Sequence, residues 1–254
     1  MPQYNNSVEN ISKILALFTN TRPRWGGSEI ARELGLPKTT AFNLTRTLEK
    51  IGFLILNEEF KKYELGPRIA NLSTVMATNL ELNQKGAGLV QELSSACGAM
   101  ASVGIWGDNA VIVVYSGNPF NIPQLPNYQI GPRLVAYCSA LGRAILAYKE
   151  KGEIKKYLER TNIIKLTPKT KTKQSEIIKE LNETKARGFS IINEEMVPES
   201  SSFGAPIFDR SNRVAGAISI YGYTDYIFGP DKEKFINILC SKAIQISQNL
   251  GYTG

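Results

Sequence analysis

Residues Gly27–Arg46 read GSEIARELGLPKTTAFNLTR, and this stretch decides the fold. Ser28 stands where a short helix running to Leu34 needs a cap, and Ile30, Ala31 and Leu34 share one face of that helix. Gly35 supplies the positive φ of a tight helix exit. Pro37 suits the first turn of a second helix, where the N–H it lacks would be unpaired anyway. In that second helix Ala41, Leu44, Leu48 and Ile51 recur at three- and four-residue steps and form a buried face. Lys38, Thr39, Thr40, Asn43, Arg46 and Thr47 fall largely on the other side, with donors for phosphates and base edges. Two short helices joined by such a turn read as a helix-turn-helix for double-stranded DNA.

The flanks complete a winged helix. Ser7 is placed to cap a first helix to about Thr19, with Val8, Ile11, Ile14, Leu15 and Phe18 as its apolar stripe. After Gly52, the runs Phe53–Asn57 and Lys62–Leu65 read as a hairpin around Glu58–Lys61. Lys61 and Lys62 then sit on the wing, within reach of a phosphate backbone. Gly66-Pro67 marks a boundary, so residues 1–67 form the DNA-binding domain and 68–254 a linker helix and second domain. In the linker, Ile69, Leu72, Met76 and Leu80 keep helical spacing. A 67-residue core is small. A linker that pairs with a second copy would support it, as a dimer reading two half-sites requires; packing on its own chain is the plain alternative.

The 254 residues carry a formal net charge of +7. That suits a polyanion partner, but the charge is unevenly placed. Residues 1–67 hold nine Lys/Arg against seven Asp/Glu, whereas 149–187 hold twelve against six. The DNA reading therefore rests on helix pattern. The chain has no His, which removes His-based triads and His-containing zinc sites. Cys97, Cys138 and Cys240 are odd in number and widely spaced, so no disulfide framework is expected and a reducing cytoplasm is the default. No apolar run is long enough to span a bilayer, and MPQYNNSVEN lacks the basic-then-apolar order of an export signal, so no membrane partner is expected. CxxC, SxxK, Walker, GxGxxG and HExxH motifs are absent; catalytic residues, metal and cofactor are all expected to be none.

From Gln84 the pattern becomes mixed α/β. A helix through Ala96 ends at Gly98, and Ala99–Trp106 and Ala110–Ser116 form strands around the hairpin signal Gly107-Asp108-Asn109. Gly117–Pro132 reads as a proline-containing loop with a short strand. Ser139 begins a helix, a second covers Glu153–Arg160, and Thr161–Lys173 is basic and exposed. A helix over Gln174–Arg187 stops at Gly188. Phe189–Asn193, Phe203–Asp209 and Arg213–Tyr221 are strands, and a last helix spans Pro230–Leu250 with Phe235, Ile238, Leu239, Ile244 and Ile246 apolar.

Five motifs, in order, resemble the IclR family of transcription regulators: LGLPKTTAFNLTRTLEKIGFL (Leu34–Leu54), KYELGPRI (Lys62–Ile69), AYCSALGRAILA (Ala136–Ala147), ARGFSIINEEMVPESSSFGAPIFD (Ala186–Asp209) and RVAGAISIYG (Arg213–Gly222). The resemblance implies an α+β chain: an N-terminal winged helix-turn-helix and a C-terminal GAF-like α/β effector-binding domain, joined by a linker helix. It also implies a homodimer or a dimer of dimers that binds a promoter operator, as repressor or activator, under control of a small-molecule effector, an organic acid or an aromatic metabolite. The family's pocket maps onto Ser139, Ala140, Leu141 and Gly142 at the helix start, Ser202 after GFSIINEE, and Ser219 and Tyr221 in the last strand. Some members have an aspartate where this chain has Ile192, and Tyr221 stands where a small polar residue is common. Both changes make the site less polar or narrower and favour a more apolar or aromatic ligand.

Each site has a plainer reading. Asn43 can pair with adenine in the major groove, or be a solvated helix-face amide. Arg46 can reach guanine or, more simply, phosphate. Phe42 can touch a thymine methyl or pack beneath the wing, and packing is favoured. Ser139 is a good N-cap whether or not it meets a ligand. Glu194 and Glu195 point to opposite sides of an extended chain, which argues against a shared catalytic or metal site. Lys165–Lys173 is expected to be solvated. Two other functions stay open at this point: an enzyme that uses the winged helix for docking, and a constitutive DNA binder without a ligand.

Overall fold

The computed structural model describes residues 5–19, 21–119 and 133–254, and divides into two compact units, 1–76 and 77–254. The sequence loop 117–132 thus lies mostly outside the described residues. In the first unit, helices α1 (Asn6–Ala16), α2 (Gly27–Glu33) and α3 (Lys38–Lys50) precede a hairpin of β1 (Leu54–Asn57) and β2 (Lys62–Leu65). Leu54 opposes Leu65 and Asn57 opposes Lys62. Its core gathers Ile14, Trp25, Ile30, Ala31, Ala41, Leu48, Leu54 and Tyr63. Trp25 locks the wing down: it exchanges both backbone hydrogen bonds with Tyr63, at 3.0 and 2.8 Å, and its indole N–H donates to the Leu17 carbonyl at 2.8 Å.

Several local expectations are corrected here. The cap of α1 is Asn5, whose side chain accepts from the Ser7 N–H, and the helix ends at Ala16. Ser28 is not the cap of α2; Gly26 is, and the Glu29 carboxylate accepts its N–H at 2.8 Å. Pro37 sits one place before α3. Ile51 is exposed, because α3 has ended before it. Thr45 takes a core position instead, since its hydroxyl donates back to the Ala41 carbonyl at 2.9 Å and so enters the core already paired. Gly35 and Gly52 adopt the expected positive φ, 64° and 78°.

Helix α4 (Pro67–Asn79) crosses the division at Met76, buries none of its residues, and exposes Leu72, Val75 and Met76. It stops at Asn79, so the linker is not one helix through Leu80; α5 (Glu81–Cys97) starts afresh there.

The second unit is a six-stranded sheet in the order β5-β4-β3-β8-β7-β6. Its strands are β3 (Met100–Gly107), β4 (Ala110–Gly117), β5 (Arg133–Leu134), β6 (Ser190–Asn193), β7 (Ser200–Phe208) and β8 (Val214–Tyr223), and every described pairing is antiparallel. Asp108 and Asn109 turn the first hairpin at φ 47° and 58°, the left-handed pair that a two-residue turn needs. Between strands lie α6 (Ala140–Leu146), α7 (Lys151–Arg160) and α8 (Gln174–Arg187); α9 (Thr224–Ile227), unseen in the sequence, and α10 (Lys232–Asn249) close the chain. Side chains alternate across the sheet. Ala101, Val103, Phe203, Ala205, Ile218 and Ile220 share a core with residues of α5 and α10. Val111, Val113 and Ala217 share a second core with α6, α7 and α8. Ile244, expected on the buried face of the last helix, is exposed.

Candidate functional site

Two places draw the sequence-derived positions together. The first is the outer face of α3. Lys38, Thr39, Asn43, Arg46 and Thr47 are exposed and Thr40 is half-buried, while Ala41, Thr45 and Leu48 face the core. Lys38 and Thr39 open the helix, where unpaired N–H groups favour an anion. The wing lysines are less available. Lys61 is paired with Glu58 at the hairpin tip, and Lys62 reaches Glu29 at 3.1 Å. The Gly26 N–H, then Lys62, hold the Glu29 carboxyl below the usual carboxylate range. Phe42 is exposed rather than packed beneath the wing; its ring fills the space beside Gly27.

The second place is a small cavity on the α6 side of the sheet, with about 50 Å³ open to the centre of a water-sized sphere. Pairing register explains why hydroxyls gather there. Ser219 opposes Ser102 on one side and Gly204 on the other, Ser102 opposes Ser116, and the Ser102 and Ser116 hydroxyls lie 3.0 Å apart. Two residues along, Tyr221 opposes Ser202, which opposes Ile192. Ser139, Ala140 and Leu141 border the cavity from the start of α6, Met196 and Val197 from the β6–β7 loop, and Ser200 from the start of β7. Thus seven of the eight expected pocket positions, Ser139, Ala140, Leu141, Ile192, Ser202, Ser219 and Tyr221, line one space. Gly142 is the exception. A Cβ there would lie 2.3 Å from the Ala136 Cα, so this glycine serves close packing behind the wall. Ser139 also performs its plain role, since its Oγ accepts the Gly142 N–H at 3.2 Å. Helix α6 approaches the sheet at Gly204, where the Ser190 hydroxyl donates to the Ala140 carbonyl at 2.7 Å.

Behind the cavity lies an ion-pair network that the sequence did not reveal. Arg143 of α6 is fully buried, and its guanidinium grips both oxygens of buried Glu195, the Nη1–Oε1 bond being 2.8 Å. Arg143 also donates to the Tyr137 carbonyl at 2.8 Å, and Lys171 reaches both Glu195 and Glu180 at 3.0 Å. Burial pushes the Glu180 carboxyl up, but Lys171, Arg143 and Arg187 outweigh it and hold it below its ordinary range. The basic segment 161–173 is therefore not simply solvated. Thr167 and Thr170 are buried and donate to the carbonyls of Glu194 and Glu195, at 2.7 and 2.6 Å. Glu194 turns the other way to Lys169, as expected of adjacent carboxylates.

Cys138 borders the cavity, but burial pushes its thiol up to about 12, and Cys97 likewise to about 11. Neither is a thiolate at neutral pH, so both are expected to react with a disulfide reagent only after unfolding. Prompt labelling of either thiol in the native chain, followed by peptide mapping, would contradict their burial. Because both folded values exceed the ordinary 9.0, this protection contributes fully below pH 9 and is lost as pH rises through the folded values.

Comparison with known proteins fixes the family. Residues 7–55 match the IclR helix-turn-helix domain, and residues 74–248 match the bacterial transcriptional regulator IclR C-terminal domain. The chain belongs to the IclR family. Its members are transcriptional regulators with a DNA-binding helix-turn-helix and an effector-binding C-terminal domain. A curated relative, the HTH-type transcriptional regulator XynR of Escherichia coli, is 26% identical over 97% of each chain. An IclR regulator from Alicyclobacillus acidocaldarius has a solved structure similar to this one, with TM-score 0.85 and 25% identity over 98% of this chain and all of that one. An IclR homologue from Microbacterium hydrocarbonoxydans, crystallised with 4-hydroxybenzoate, shares the fold at TM-score 0.79 and 19% identity, covering 97% and 99% of the two chains. Among the described residues of this IclR regulator no helix is long and apolar enough to cross a membrane, and no cluster of His, Cys, Asp or Glu suits a metal.

Proposed function

We propose that this chain represses transcription as a homodimer, or as a dimer of such dimers, bound in the cytoplasm to an operator near its own gene. Residues 1–67 act as the DNA-binding domain and 68–254 as the linker and effector domain. Lys38, Thr39 and Thr40 anchor phosphates, Asn43 reads a base edge, and Arg46 takes a further phosphate. Lys61 and Lys62 join only by exchanging their carboxylate partners for phosphate. One observation carries this reading: α3 turns Lys38, Thr39, Asn43, Arg46 and Thr47 outward while Ala41, Thr45 and Leu48 hold the core. The exposed side chains of Leu72, Val75 and Met76 on α4 support self-association. The cavity beside α6 takes the effector. Of an organic acid and an aromatic metabolite, its walls of Val113, Leu134, Leu141, Ile192 and Tyr221 suit the aromatic better.

The test is an electrophoretic shift on the DNA upstream of the gene, with genomic competitor. Asn43→Ala is expected to lose about 1–3 kcal/mol of discrimination between operator and random DNA. Lys38→Ala is expected to weaken both alike and to flatten the salt slope by about one unit. Equal loss on both DNAs for Asn43→Ala removes it from base reading. Deleting the gene is expected to raise transcription from the bound promoter; a fall would make the regulator an activator.

A further inference from the structure

The cations around the helix-turn-helix fall into two groups. Among the described residues, Lys38 and Arg46 on the outer face of α3 form no ion pair. Arg22 and Arg24 before α2, and Lys61 and Lys62 on the wing, all face carboxylates. Arg22 and Lys62 share Glu29, Arg24 meets Glu64 at 2.6 Å, and Lys61 meets Glu58. Glu29 is also tied to the backbone. One of its oxygens accepts the Gly26 N–H at 2.8 Å, and the other receives the Lys62 ammonium at 3.1 Å. Lys38, Phe42 and Arg46 follow one another at four-residue steps along α3, and the Phe42 ring lies 3.2 Å from where a Cβ on Gly27 would stand. The carboxylate bonded to Gly26 therefore stands at the border of the face that meets DNA.

We infer that Glu29 restrains the binding of DNA of any sequence: it withholds Lys62 from the phosphate backbone and holds a negative charge beside α3. An ordinary surface carboxylate swings aside as a phosphate approaches, and its ion pair is worth little. Glu29 is fixed by its bond to Gly26, and that bond and Lys62 keep it ionised at neutral pH. Arg22 is held twice, because its guanidinium also lies 3.3 Å over the Trp25 ring, so Lys62 is the cation that loss of Glu29 sets free. Sequence-independent affinity grows with the number of phosphates neutralised. A wing lysine kept in reserve thus shortens the time the regulator spends on bulk DNA. The inference rests on α3 being the helix that docks.

The test is fluorescence anisotropy of the full chain on a duplex of random sequence, over a salt series. Glu29→Gln is the informative change, because Gln keeps an acceptor for the Gly26 N–H while losing the charge. It is expected to bind about tenfold more tightly at about 50 mM salt and to steepen the salt slope by about one unit. Lys62→Gln in the parent is expected to change affinity by less than about twofold, yet to abolish the gain when added to Glu29→Gln. Glu9→Gln removes the same charge from the exposed pair with Lys13 on α1 and is expected to stay within about twofold of the parent. A Glu29→Gln chain that melts with the parent but binds no more tightly overturns the inference. So does a gain that survives Lys62→Gln, or an equal gain from Glu9→Gln. Should Glu29→Gln fail to fold, Lys62→Gln alone decides: a loss of about tenfold shows the lysine already on phosphate and overturns the inference, whereas affinity near the parent's upholds it. If Lys38→Ala leaves both affinity and salt slope untouched, α3 is not the docking helix, and the reading beneath this inference fails with it.

Discussion

Glu195→Gln is expected to lower the stability of the 77–254 unit by about 3–5 kcal/mol, the usual cost of breaking a buried ion pair from one side. The loss falls on Arg143, which stays fully buried with its guanidinium facing a neutral amide. Glu180 is the next carboxylate, at 3.7 Å, and Lys171 and Arg187 already share it. For a unit of this size the melting temperature should fall by about 6–20 °C in calorimetry. Glu194→Gln is the control. Its pairing with Lys169 is exposed on the lysine side, so the melting temperature should stay close to that of the parent. The double variant Arg143→Met/Glu195→Leu should lose less than Glu195→Gln, because no charge is stranded. If Glu195→Gln and Glu194→Gln melt together, the buried pair is not what fixes the pocket loop to α6.

Gly142→Ala is expected to cost about 3 kcal/mol, the upper end of ordinary overpacking. The added carbon would meet the Ala136 Cα at 2.3 Å and the Ala136 carbonyl oxygen at 2.5 Å, and backbone cannot swing aside as a side-chain tip can. Since Ser139, Ala140 and Leu141 would move with it, ligand affinity should drop as well. Gly152→Ala in α7 provides the opposite sign, because nothing lies within 4 Å of its Cβ position. Removing a first-turn glycine there should add up to about 0.5 kcal/mol, less than at a helix-interior position. Equal melting temperatures for the two variants would mean that α6 has more room than its geometry shows.

Local patterns made the winged helix legible. Gly35, Gly52, the α3 spacing and the β1–β2 hairpin all follow from near neighbours in sequence. The misjudged positions are those where a side chain bonds to backbone. Thr45 reads as polar but is core because its hydroxyl returns to Ala41; Ser28 reads as a cap, but Glu29 reaches back to Gly26 instead. In the second unit, family motifs located the cavity residues, yet Ser102, Val113, Met196 and Val197 were missed. Ser102 did leave a trace, as the lone hydroxyl in the apolar run Ala99–Val103. Arg143 and Glu195 left none: they lie 52 positions apart, and only folding brings them together.

The alternation along β7 and β8 divides labour between neighbouring residues. Phe203, Ile218 and Ile220 hold the chain together, while Ser202, Ser219 and Tyr221 border the cavity from the same two strands. Changes of chemical taste can therefore accumulate at every second position without disturbing the residues between. A randomised library at 102, 202, 219 and 221 should return many well-folded chains, with melting temperatures near that of the parent. The same library at 101, 203, 218 and 220 should return mostly aggregates.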